Sequence, residues 1–157
     1  MLWLVRHAPV ELDLDRPAHT WELTPEGRAD AEELALRLPP VARVLSSPEP
    51  KAVATAEPIA RAAGVELELD ERLREVRRDA SLPDYDAHRD AVRRYLAGEP
   101  VVGWEPRDRV LARVREAVAG VDNAAIVSHG MALSLLLGYG FEEWNRIALP
   151  DVIEWQP

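Results

Sequence analysis

MLWLVRHAPV, residues 1–10, decides the fold: residues 2–5 form an apolar run of strand length that ends on an Arg-His pair, Arg6-His7. A run this short and apolar, closed by polar residues, reads as a buried strand. Working outward, similar runs recur at residues 41–45, 65–69 and 124–127, with helical patterns between them. Strands alternating with helices predict βαβ units, so the expected class is α/β: a three-layer α/β/α fold around a mainly parallel central sheet. Residues 152–155 are expected to add an edge strand.

Helix boundaries can be read from the sequence. Thr24-Pro25 supplies an N-cap and a first-turn proline, and Ala31, Leu34, Ala35 and Leu38 share one face before Pro39-Pro40 ends the run. A second helix is expected after Pro50, bent at Pro58 and closed by Gly64, and a third over residues 84–97. A fourth begins at Glu105-Pro106, turns Val110, Leu111, Val114, Ala117 and Val118 inward and stops at Gly120; a fifth starts beside Gly130.

The chain has 157 residues, 47% of them hydrophobic, enough for one core. A single domain over residues 1–157 is expected, with a short insertion over the sheet at about residues 77–106, where arginines and aspartates interleave. There is no cysteine, which excludes disulfides, thiolate metal sites and thiolate nucleophiles and fits a cytoplasmic location. The net charge of −9 disfavours nucleic acid and anionic membranes as partners, so any phosphate site must be a local positive island. The uncharged stretch at residues 123–141 approaches membrane-span length, but Ser128, His129, Gly130 and Ser134 interrupt it, and a buried strand and helix are expected there. No signal peptide is expected, because the opening run is too short and lacks a cationic leader.

Parallel α/β sheets bind ligands where strands end and helices begin. The residues just past the expected strands are Arg6-His7, then Ser46-Ser47 with Lys51, then Arg74-Glu75, then Ser128-His129-Gly130. Two imidazoles, a carboxyl group and two cations at one edge suit phosphoryl transfer, which depends mostly on positioning and charge neutralisation. A neutral imidazole can attack phosphorus, and neighbouring cations favour its neutral form. Glu75 can give a proton to a leaving oxygen, and Gly130 lets backbone approach the phosphate. Glu71 precedes the same loop and is the rival acid; the LREV register favours Glu75.

These segments resemble the histidine phosphatase (phosphoglycerate-mutase-like) superfamily. LVRHAP at 4–9 resembles its RHG signature, LTPEGRADAEELA at 23–35 its LTxxGxxQAxxLA segment, and AIVSHG at 125–130 its second histidine motif. VLSSPEPKAVATAEPIA at 44–60 is similar to its SSPLxRAxQTA helix, and ERLREV at 71–76 to its acid-bearing loop. The resemblance implies that His7 is the nucleophile that becomes phosphohistidine, that Arg6 and His129 bind the transferring phosphate with Lys51 and Gly130 beside them, and that Glu75 is the proton donor. It implies a metal-independent phosphatase with no cofactor, hydrolysing a small phosphorylated metabolite. It also implies a His7 Nδ1 proton held by a backbone carbonyl near residue 8.

Three positions depart from the pattern: Lys51 replaces an arginine, Ala8 a glycine, and Asp13 an asparagine. A lysine is a flexible point charge where arginine offers a planar fork. The alternatives are a protein-phosphohistidine phosphatase, which an open site with almost no lid would favour, and, because of Lys51 and Ala8, a catalytically weak phosphate-binding member. Arg77 or Arg78, just after Glu75, is the candidate contact for the remote part of the substrate. His19, His88, Trp21 and Trp104 read as surface or packing residues, although Trp21 could cap the pocket. Natural substrate and oligomeric state are not legible.

Overall fold

In a computed structural model that describes residues 1–79 and 84–157, one five-stranded sheet is covered on both faces. Its strands are β1 (Leu2–Arg6), β2 (Arg43–Ser46), β3 (Leu67–Leu69), β4 (Ala124–Ser128) and β5 (Asp151–Trp155), in the spatial order β3-β2-β4-β1-β5. The first four run parallel and β5 lies antiparallel at the edge beside β1, as the alternating pattern predicts. The helices are α1 (Pro25–Arg37), α2 (Pro50–Ala63), α3 (Tyr85–Leu96), α4 (Arg107–Val118), α5 (Gly130–Leu137) and α6 (Phe141–Arg146).

Alternation along the strands builds the layers. Leu2, Leu4, Leu45, Ala124 and Ile126 face one side with buried residues of α3, α4, α5 and α6, whereas Val5, Val44, Ala125 and Val127 face the other with α1 and α2. Every residue of β4 is buried, as expected of a central parallel strand. The helix starts follow the expected chemistry: Thr24 Oγ1 accepts the Gly27 N–H at 2.9 Å with Pro25 in the first turn, and Gly64 closes α2 at φ 68°. α2 continues through Pro58, which is buried against its neighbours.

Two features differ from the sequence expectation. β2 and β3 begin two residues later than the apolar runs that mark them, because Val41 and Val65 pack from the preceding turns. α6 was not anticipated; it has six residues, of which only Phe141 and Trp144 are buried, too short a pattern to reveal a helical period. Among the described residues, no helix is long and apolar enough to cross a membrane, and residues 123–141 form β4, α5 and the start of α6.

Candidate active site

The sheet brings its loops together by extending the strand ladder one residue. The His7 N–H donates to the Ser128 carbonyl at 3.1 Å and the Ser47 N–H to the Val127 carbonyl at 2.9 Å, so the segments after β1 and β2 are both tied to β4. His129 follows β4 directly, and its ring centroid lies 5.3 Å from that of His7. The two histidines of the sequence reading therefore share one pocket.

His7 is buried, and its Nδ1 lies 2.8 Å from the Ala8 carbonyl oxygen. A carbonyl can only accept, so Nδ1 carries the proton and Nε2 holds the free lone pair. Burial first, then the Lys51 charge and more weakly that of Arg6, lower the His7 pKa from its usual value to about 3, against a smaller opposing effect of the Ala8 hydrogen bond. The ring is a neutral base at physiological pH. Ala8 is tolerated in place of glycine because its backbone is not among the residues of positive φ; its N–H donates to Thr55 Oγ1 at 3.0 Å and its methyl group is fully buried.

His129 is fully buried, with Nε2 2.8 Å from Ser47 Oγ. Burial foremost, then the positive charge His7 would carry and that of Lys51, holds its pKa well below the ordinary value. Arg6, the last residue of β1, donates from a terminal guanidinium nitrogen to the Ile147 carbonyl at 2.5 Å and lies 6.0 Å from the Trp144 ring. The unexpected α6 and the residue that caps its C-terminus, Ile147, thus supply the two supports of the arginine. Gly130 leaves room for this packing: a Cβ there would stand 2.9 Å from Trp144 Nε1 and 3.1 Å from Arg6 Cζ.

Glu75 reaches the start of α5. Its carboxyl oxygens accept the N–H groups of Met131 at 3.1 Å, Ala132 at 2.9 Å and its own neighbour Val76 at 3.0 Å. Glu71, the rival acid, is exposed and paired with Arg74. Arg113 of α4 fixes the Glu75 loop from behind, donating to the carbonyls of Arg72, Arg74 and Glu75 at 2.7–3.0 Å.

Lys51 points inward and is buried, but its Nζ donates to the Ala18 carbonyl at 2.6 Å and lies 3.1 Å from Glu49 Oε2. Trp21 covers it, with the ring centre 5.9 Å from Nζ. Asp13 is engaged in its own turn, with Oδ1 accepting the Asp15 N–H at 3.0 Å. Of the insertion arginines, Arg77 is exposed and lies 3.4 Å from Asp79, while Arg78 stacks on Trp104 beside His88.

Glu49 and Arg113 were missed in the sequence. Glu49 left a signal, because a carboxylate stands where the SSPLxRAxQTA motif has leucine. Arg113 left none, since it looks like any charged residue on the outer face of a helix. Six side-chain polar atoms among the described residues are buried without a hydrogen-bond partner, and three belong to this pocket: Arg6 Nε, His129 Nδ1 and Glu49 Oε2, the last compensated by its ion pair with Lys51. An uncompensated atom of this kind costs about 1–3 kcal/mol, so Arg6 Nε and His129 Nδ1 are polar groups that stability alone does not explain.

The parallel sheet, the paired histidines at its C-terminal edge and the guanidinium beside them define a phosphoglycerate-mutase-like α/β protein. Residues 2–152 match the profile of the histidine phosphatase superfamily (branch 1), and the chain belongs to that superfamily. It is 32% identical to a putative phosphoserine phosphatase 2 of Hydrogenobacter thermophilus, covering 92% of this chain and 82% of that protein. A mycobacterial glucosyl-3-phosphoglycerate phosphatase solved with inorganic phosphate superposes at a TM-score of 0.68 with 26% identity, over 91% of this chain and 81% of that one. YhfR of Bacillus stearothermophilus shares the fold at a TM-score of 0.71 with 24% identity, over 99% and 91% of the two chains.

Proposed function

We propose that this protein is a phosphomonoesterase that hydrolyses a small phosphorylated metabolite through a phosphohistidine on His7. The observation that carries the reading is the state of the His7 ring: Nδ1 is bonded to the Ala8 carbonyl, and burial and cations keep Nε2 unprotonated beside His129. The relatives named as phosphatases of phosphoserine and of a phosphorylated glucosylglycerate support the substrate class.

In the first step His7 Nε2 attacks phosphorus, a P–N bond forms, the ester P–O bond breaks, and Glu75 protonates the departing oxygen. Arg6 neutralises the transferring group and His129, an uncharged imidazole, helps to orient it, with the backbone at Gly130 beside them. Water then attacks the phosphohistidine, gives a proton to Glu75 and releases inorganic phosphate. No step assigns work to a metal. Hydrolysis of p-nitrophenyl phosphate by the purified protein is therefore expected to be unaffected by EDTA, and loss of turnover on chelation would overturn the mechanism.

Glu75→Gln tests the acid separately. An alkyl phosphate, whose leaving oxygen needs a proton, is expected to lose ~10² in kcat, whereas nitrophenolate, which leaves unaided, should lose less than ~10. Equal losses on both substrates would remove Glu75 from that role. The second reading, a weak phosphate-binding member, is favoured by one observation, the engagement of Lys51 Nζ with Ala18 and Glu49. Phosphate binding without turnover would establish it.

A further inference from the structure

We propose that Glu49 is an internal counterion for Lys51 that competes with the bound phosphoryl group, so that the pocket takes a phosphate dianion only together with a proton, which Glu49 accepts. This rests on the phosphate reading of the pocket and adds a residue that determines the charge state of its ligand.

The two side chains form a buried pair, 3% exposed for Glu49 and 6% for Lys51, 3.1 Å apart. Glu49 Oε1 accepts the Glu75 N–H at 3.1 Å and lies 3.7 Å from His129 Nε2, while Oε2 makes the ion pair with the lysine. The carboxylate is thus inside the anion site, touching the lysine, the second histidine and the acid loop. In the SSPLxRAxQTA motif the corresponding pair is leucine and arginine, a net charge of +1, whereas Glu49 and Lys51 sum to zero.

A dianion entering beside this carboxylate makes two like charges share one buried volume, a situation that one of them resolves by taking a proton. The groups around Glu49 identify the acceptor. Lys51, on the same helix, is already a cation. From the β4–α5 junction comes His129, whose imidazolium is opposed by burial, by the positive charge His7 would carry and by those of Lys51, Arg113 and Arg78. From the loop before α3 come the Glu75 N–H and the Arg74 guanidinium, and from β1 comes neutral His7. Glu75, as the catalytic acid, holds a proton of its own, which leaves Glu49 as the carboxylate whose protonation relieves the repulsion.

The test is calorimetric titration of the purified protein with inorganic phosphate at pH 8, in two buffers of different ionisation enthalpy, which counts protons taken up. Wild type is expected to take up close to one proton per phosphate more than Glu49→Gln does. Glu49→Gln, which keeps an oxygen for the Glu75 N–H, is expected to bind ~10-fold more tightly. No uptake by the wild type overturns the proposal without any variant. Equal affinity and uptake in the two proteins would reduce Glu49 to a support of the loop, and tighter binding with unchanged uptake would place the proton elsewhere; either result overturns the proposal and leaves the phosphate site standing. Absence of phosphate binding in both proteins would overturn the phosphate reading and this inference with it.

Discussion

His7→Ala is expected to lower kcat for p-nitrophenyl phosphate by at least ~10⁴ while leaving a folded protein that still binds phosphate. The magnitude follows from the role proposed for His7 in forming the covalent intermediate, since removing such a group is comparable to dismantling the whole catalytic unit. Binding survives because Arg6 is held independently by Ile147 and Trp144, and His129 by Ser47. Rapid acid-free quenching with a labelled substrate should trap phosphohistidine on residue 7 of the wild type and none in the variant. Retention of more than about one per cent of activity would assign attack to another group.

The same substitution has a pH signature. Since the His7 pKa in the folded protein is lowered to about 3, the ring remains unprotonated through the mildly acidic range, and the acidic limb of kcat/KM is expected to belong to other groups. The pKa is lowered on folding, so the unfolded chain binds the extra proton as pH falls below about 6.5. Stability is therefore lost from about pH 6.5 downward until the folded ring also titrates near 3. Urea denaturation at pH 7 and at pH 4.5 should show a smaller acid-induced loss in His7→Ala than in wild type. An equal or larger loss would mean that the imidazole is already charged in the folded state.

Whatever the sequence expresses as a local pattern was legible in it. A five-residue apolar run before Arg6 can only be a short buried strand, and Thr24-Pro25 is a helix start by its own chemistry. Motif order placed His7, Glu75 and His129 near one edge because parallel strands must deliver their ends there. Long-range pairing was the illegible part. Lys51 could be placed after the second strand, yet its partners, Ala18 and Glu49, depend on how the turn at residues 18–20 and the start of α2 meet in space. α6 was invisible as a helix, and with it the Trp144 ring and Ile147 carbonyl that fix Arg6. Gly130 was expected to bring backbone close to phosphate; the structure adds a steric demand from two neighbouring side chains that no local pattern expresses.

That steric demand makes the second large effect calculable. Gly130→Ala should cost ~10² in kcat with little change in stability, and Arg6→Lys should cost ~10²–10³. In α5 the backbone favours alanine over glycine by up to about 1 kcal/mol, and overpacking costs about 1–3 kcal/mol, so the two partly cancel in the folding free energy. Activity has no such compensation. Trp144 is buried against Phe141, so the added methyl group, 2.9 Å from Trp144 Nε1 and 3.1 Å from Arg6 Cζ, is relieved mainly by the guanidinium shifting. Lysine at residue 6 loses the planar fork and its hold on Ile147, which disables the same group by another route. The double variant should therefore be no slower than Arg6→Lys alone, a coupling that a double-mutant cycle on kcat/KM measures directly. Multiplication of the two losses would show that residue 130 acts through its own backbone N–H on the phosphate, independently of the arginine beside it.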